Sequence, residues 1–415
     1  MSLRRSFEPR SLRRGGLLRV ACTLCALACA TTAAAEEPAS LESAIKAVQP
    51  IVNLRLRFEQ VDQDGIAEQA NAITLRGRLG FETGKFWGTT LLAEGEGTWP
   101  LQSDYNSTVN GKTQFPVVAD PESYEVNRLA LANTSLPDTT ITLGRQRITQ
   151  DNQRFVGPSD WRQNEQTFDA LRIANHSVKH LSFDLTYLNQ VNRVFGKDSP
   201  VGRYTGDTYL ANIAYELPVG KLTAFGYLLD FKEAPTDSTT TAGLRYALDH
   251  TFSGVKLVGF VSFASQKDRG SNPLDFSNDY FGAELIATLR EWSLGAGIEV
   301  LEGDGVKGFS TPLATLHKFQ GWADKFLTTP ANGIDDRYAS LGYAVKALGL
   351  DSFSATAVYH RFQAQNVSMD YGSEVDAVVQ AKQKRWSGML KYAKYNADRF
   401  ATDTSKFWVQ FEFIY

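Results

Sequence analysis

Cysteine is almost missing from this chain. The three present, Cys22, Cys25 and Cys29, all lie before residue 30, so everything beyond them must fold without disulfides or thiolate metal sites. Long apolar runs are equally scarce. After the stretch from Leu17 to Ala30 nothing approaches the ~18 residues that a helix needs to cross a bilayer, which excludes a helical membrane protein. Excess positive charge is absent too, since the formal net charge is −3, and nucleic acid is therefore not an expected partner. No G-x-S-x-G elbow, Walker loop, zincin helix or paired-cysteine site follows the first 35 residues. Of the histidines, only His176 and His180 have a ligand-like spacing, and they fall at a turn. No catalytic residue, metal or cofactor is expected.

What the chain does have begins with a leader. Arg4, Arg5, Arg10, Arg13, Arg14 and Arg19 precede or border the apolar run, and Ala33, Ala34 and Ala35 form an A-x-A site just before Glu36. This pattern reads as a secretory signal peptide over residues 1–35. Removing its six arginines and Glu8 takes the net charge from −3 to −8. A short periplasmic segment, 36–49, then precedes one large domain, 50–415.

That domain is dominated by a period of two. Leu54, Leu56 and Phe58 alternate with Arg55, Arg57 and Glu59; Ile73, Leu75 and Leu79 with Thr74, Arg76 and Arg78; Trp292, Leu294, Ala296 and Ile298 with Ser293, Gly295, Gly297 and Glu299. Alternate side chains of a strand point to opposite faces. Repeated over about eighteen segments, from 50–61 to 405–415, the pattern predicts an all-β, transmembrane antiparallel barrel. Connection lengths alternate as well. Thr83-Gly84-Lys85, Pro218-Val219, Arg290 and Gln383 mark short periplasmic turns, and 99–121, 149–164, 191–205, 267–277 and 303–334 mark longer extracellular loops. The chain ends Phe407-Trp408-Val409-Gln410-Phe411-Glu412-Phe413-Ile414-Tyr415. Such a hydrophobic strand invites aggregation unless closure pairs it. The expected setting is the outer membrane of a Gram-negative bacterium, with membrane lipids and the barrel-insertion machinery as partners.

A charge on the lipid face costs about 2–4 kcal/mol near the midplane. Strand arginines Arg55, Arg57, Arg76, Arg78, Arg128, Arg172 and Arg245 are therefore expected to face the lumen, with Leu54, Leu75, Leu294, Phe411 and Phe413 facing lipid. Glu59, Glu94, Glu96, Glu216, Glu284, Glu299, Glu374 and Asp376 share the lumen phase. A mixed ladder of paired charges is the expectation, with Glu94 and Glu299 among the pore-lining candidates.

Between the fifth and sixth strands run Gly144-Arg145-Gln146-Arg147, Asp151-Asn152-Gln153-Arg154-Phe155-Val156-Gly157-Pro158 and Trp161-Arg162-Gln163-Asn164-Glu165-Gln166-Thr167-Phe168-Asp169. This segment resembles the alginate-export porin family. So does His317-Lys318-Phe319-Gln320-Gly321-Trp322-Ala323-Asp324-Lys325-Phe326, followed by Asn332-Gly333 and Asp335. The likeness runs from about residue 50 to the C-terminus and implies an eighteen-stranded barrel that transports. Cargo is less constrained: the family's namesake exports a polyanion through an arginine-rich pore, whereas many relatives resemble general or substrate-selective porins. Either Arg145, Arg147, Arg154 and Arg162 grip anionic or hydroxylated solutes with their guanidinium forks, or Arg145 and Arg147 pair with Glu165 or Asp169 to hold the loop against the wall. Sequence alone leaves both open. The working expectation is passive passage of a small polar or anionic solute, with export of an anionic polysaccharide such as alginate, a uronic-acid polymer, as the alternative.

Overall fold

The computed structural model describes residues 40–346 and 349–415; the leader and the first residues of the 36–49 segment lie outside them. A short helix, α1 (Leu41–Lys46), is capped by the Ser40 hydroxyl and meets the turn at Gly84, whose N–H donates to the Ala44 carbonyl at 3.0 Å. Eighteen strands follow: β1 (Gln49–Gln63), β2 (Ala70–Glu82), β3 (Thr89–Asp104), β4 (Ser123–Asn133), β5 (Thr139–Gln146), β6 (Thr167–Val178), β7 (Leu181–Asn192), β8 (Arg203–Glu216) and β9 (Lys221–Leu228), then β10 (Thr239–Phe252), β11 (Val255–Asp268), β12 (Ser277–Leu289), β13 (Trp292–Leu301), β14 (Ile334–Val345), β15 (Ser352–Gln363), β16 (Asp370–Gln383), β17 (Trp386–Ala397) and β18 (Thr404–Ile414).

Each strand pairs antiparallel with its chain neighbours, and β18 closes on β1 from Asn53↔Ile414 to Gln63↔Thr404. Closure removes both sheet edges, the condition for burying strands in lipid, where no water can satisfy an open backbone. Alternation sets the two faces. Leu54 and Leu56 are exposed on the outside while Arg55, Arg57 and Glu59 are buried inside; Leu294 and Phe411 likewise face outward. Aromatic pairs ring both ends of the apolar band, Trp292–Tyr343 and Trp386–Phe413 toward the periplasm, Trp99–Tyr124 and Tyr187–Tyr209 toward the outside.

Periplasmic turns are short because the strands reverse through left-handed backbone, as at Ser253 (φ 49°) and Gly254 (φ 84°). Strand β3 runs to Asp104, beyond the expected end near 98, because a bulge at Ile73/Thr74 lets Trp99 and Pro100 keep pairing with β2. The weakest seam joins β4 and β5, which share only the pairs Leu129↔Arg145 to Asn133↔Ile141. Near its end Gly144 has φ 118°, and any Cβ there would strike the Leu129 carbonyl.

Candidate functional site: the filled half of the lumen

Two extracellular loops, 147–166 and 302–333, turn into the barrel and meet. Val156 and Leu313 form a parallel bridge, Gly157 N–H donates to the Leu313 carbonyl at 2.9 Å, and Ser159 Oγ donates to the Ala314 carbonyl at 3.0 Å. The first loop lies on the β1–β2 wall: Arg55 Nη1 donates to the Asp160 carbonyl at 2.9 Å, Arg57 Nη2 to that of Trp161 at 2.6 Å, and Gln163 Nε2 to Thr74 Oγ1 at 2.8 Å. The second lies on β16, whose Glu374 and Asp376 accept the N–H groups of Ala323 (2.6 Å) and Trp322 (3.2 Å). Gly321 (φ 79°) permits that approach, since a Cβ there would fall on the Glu374 carboxylate.

Charged groups pair with one another along the filled side. Arg78 binds Glu96 and lies 3.2 Å from Glu165; Arg147 meets Glu165 at 2.7 Å; Arg128 clasps Glu94 at 2.7 Å, with Arg147 at 3.8 Å from the same carboxylate. Arg76 donates to Asn53 and Glu412 at 2.6 and 2.9 Å, and Arg172 pairs with Asp184. Arg154 reaches Glu299 at 2.7 Å, which also accepts from Tyr280. Arg162 bridges Glu59 (3.2 Å) and Asp324 (3.0 Å). Arg145 sits apart at the β4–β5 seam, holding Asp169 with two nitrogens at 2.7 and 2.9 Å and the Val126 carbonyl at 2.9 Å, so it supplies donors where β4 has lost its strand partner. The structure thus gathers Arg78, Arg128, Arg147 and Glu94 into one network and places Arg145 and Arg172 outside it.

Sequence reasoning did not find the cluster that ties the loops together. His317 Nδ1 lies 2.6 Å from Asp324 Oδ1, Lys391 Nζ 2.7 Å from His317 Nε2, and Lys406 Nζ 2.7 Å from Asp324 Oδ2. Lys391 is also ringed by Trp322 (3.8 Å), Trp161 (4.1 Å) and Trp408 (5.5 Å). Burial pushes His317 well below its ordinary value, with Lys391 adding to the effect against the pull of Asp324. A neutral imidazole then donates from Nδ1 and accepts at Nε2, the tautomer that fits both neighbours. Burial alone would raise Asp324, but His317, Lys406 and Arg162 hold it well below the usual carboxylate range. Burial also lowers Lys325, to about 8, with Lys406 reinforcing it.

What the loops leave open is a chamber of about 480 Å³. Among its lining groups are Arg245, Lys318, Phe260, Phe319, Trp322 and Tyr338, with Glu284, Glu299 and Asp336 on the acidic side. Glu299 is engaged by Arg154 and Asp336 by His360 at 2.9 Å. Arg245 stacks on Phe260 at 3.9 Å and has no ion-pair partner among the described residues. Burial and the neighbouring Arg245 lower Lys318, partly opposed by Glu284.

Comparison with known proteins agrees with this architecture. Residues 116–198, which include the first inward loop, match the alginate export family. The fold is similar to Pseudomonas aeruginosa OpdK solved with vanillate (TM-score 0.71, 12% identity, covering 89% of this chain and 99% of that one). It is also similar to P. aeruginosa OccK9, or OpdG (0.72, 17%, 90% and 100%), and to Acinetobacter baumannii OccAB4 (0.67, 14%, 89% and 98%). No curated protein matches in sequence. The chain is thus similar to the alginate export family over residues 116–198, and its closed eighteen-stranded wall has the fold of these outer-membrane channels.

Proposed function

We propose that this barrel is a passive outer-membrane channel for small polar or anionic solutes. The observation that carries the reading is Arg245: a guanidinium fixed on Phe260 at the chamber wall, with no ion-pair partner among the described residues. Lys318, on the same chamber, adds a second cation, and the aromatic surfaces beside both suit a small carboxylate with an apolar body. That chemistry agrees with the vanillate named for OpdK. Of the pore-lining candidates, Arg245 and Glu299 border the chamber directly, while Arg55, Arg57, Arg78, Arg147, Arg154 and Arg162 shape it by fixing the loops, and Arg76 and Arg128 pair with carboxylates of the wall.

The leader over residues 1–35 belongs to this reading as the export signal, and β18 as the segment recognised by the insertion machinery. No catalytic role is assigned. Export of an anionic polysaccharide is the second reading, favoured by the match at 116–198. Planar-bilayer conductance decides first: a channel raises it, and a barrel that gives no current rejects the proposal. Liposome swelling then separates the two readings. Small organic acids should enter and uronic-acid oligomers should not, whereas passage of the oligomers would establish the exporter.

A further inference from the structure

On the outer face, the strands β10 to β15 carry one register row across the wall: Tyr246↔Val261↔Ala283↔Ile298↔Arg337↔Arg361. Small residues Ala283, Ala296 and Gly259 leave an apolar groove of about 550 Å³ along this row, with Arg337 at one end. Val261 and Leu285 beside it are about half exposed, at 51% and 50%. At roughly 4.8 Å between strands, the row from Arg337 to Tyr246 spans about 19 Å.

The two arginines need an explanation. They stand directly opposite each other on adjacent strands with side chains 64% and 50% exposed, and like charges so placed repel. Arg337 lies six residues from Tyr343 of the periplasmic girdle. At ~3.3 Å per residue and a tilt of about 40°, that puts it roughly 15 Å higher, in the outer half of a band about 25 Å tall. Asp335 and Asp370 each take one guanidinium, but Arg337 uses only Nε and Nη2 for its carboxylate, and Arg361 only Nη2. Each therefore keeps N–H donors that its carboxylate does not use, on a side chain half or more exposed and long enough to reach toward the outer edge of the band.

We propose that this face seats one molecule of a phosphorylated, acylated outer-leaflet glycolipid, the chemistry of lipid A. Its phosphate lies between Arg337 and Arg361, and one acyl chain lies in the groove over Ile298, Ala283 and Val261. A phosphate monoester carries about −1.5 to −2 charges and several acceptor oxygens, enough to bridge two guanidiniums that already hold a carboxylate each. A phosphodiester headgroup, with a single charge, is the poorer fit. The groove supplies what an isolated rim salt bridge does not, a bed for an apolar chain that ends at the cations.

Native mass spectrometry of the folded, detergent-solubilised barrel tests the site, with lipid A, dephosphorylated lipid A and phosphatidylglycerol as probes. Wild-type protein should retain one lipid A and neither other lipid. The double variant Arg337→Gln, Arg361→Gln should lower retention at least tenfold, and Ala283→Phe, which fills the groove without touching the arginines, should lower it as well. Equal retention by the variants, or equal binding of dephosphorylated lipid A or phosphatidylglycerol, overturns the proposal. Should the double variant fail to fold, the probe comparison on wild type and the Ala283→Phe result decide it.

Discussion

Trp161 and His317 stack face to face, with ring centroids 4.2 Å apart and planes 7° from parallel, and they come from different loops. Arg57, from the wall, lies over the other aromatic partner of this stack, 4.2 Å from the Trp161 ring. The pair therefore joins two inward loops to each other and to β1. Replacing Trp161 with alanine should cost about 3–5 kcal/mol of local anchoring while leaving the closed barrel intact. Single-channel recordings should show larger and noisier conductance than wild type, and an unchanged current would mean the loops are held elsewhere.

Asp324 holds the same assembly electrostatically, and acid should loosen it in two stages. His317 has a folded value well below its ordinary one, so the released state takes up a proton first and stability falls as pH drops below about 6.5. Asp324 has a depressed folded value. Its contribution is present above the ordinary carboxylate value of about 3.9 and is lost only as pH falls through the lower, folded one. Limited proteolysis of loop 302–333 against pH should thus show gradual exposure below about 6.5. His317→Gln should flatten that limb. Asp324→Asn, which leaves Arg162 and Lys406 facing an uncharged amide, should expose the loop at neutral pH, in keeping with the roughly 3–5 kcal/mol cost of breaking a buried ion pair from one side.

Wall and loops differ in how far they can be read from sequence. The wall is legible because a period of two maps directly onto lipid and lumen: Leu54 out and Arg55 in, Leu294 out and Gly295 in. Even the count of eighteen follows, since each crossing repeats the signal. Loops carry no period. Arg162 finds Glu59 and Asp324 at separations of 103 and 162 residues, and nothing local to Arg162 announces either partner. One signal was present at the C-terminus. Phe407, Phe411, Phe413 and Tyr415 share one phase, but Trp408 breaks it and is fully buried inside the barrel, where it packs edge-on to Trp161 at 5.6 Å. An aromatic out of phase with its strand marks a lumen contact.

Closure depends on β18, which pairs with β17 on one side and β1 on the other. Deleting residues 406–415 opens both ladders and exposes two long hydrophobic edges. The truncated protein should lose heat-modifiable migration and membrane insertion together. Trp408→Ala, by contrast, should insert normally and resemble Trp161→Ala in its conductance. If the truncation still migrates as a folded barrel, β1 has found another partner and the pairing is not what seals the wall.

Selectivity separates the arginines by what surrounds them. Arg245 borders the chamber without an ion-pair partner among the described residues, so its field reaches a passing anion and is attenuated over a screening length of about 8 Å at physiological ionic strength. Arg145 spends its donors on Asp169 and the Val126 carbonyl at the β4–β5 seam, and Arg154 is buried against Glu299. Arg245→Gln should therefore move the reversal potential in a salt gradient toward cations, most clearly in dilute salt, with little change in barrel stability. Arg145→Gln should leave the reversal potential in place and weaken the seam. Arg154→Gln leaves Glu299 less compensated beside the chamber, so it should both loosen the loop and shift selectivity toward cations. A reversal potential indifferent to Arg245→Gln but sensitive to Arg145→Gln would place the ion path along the seam instead of through the chamber.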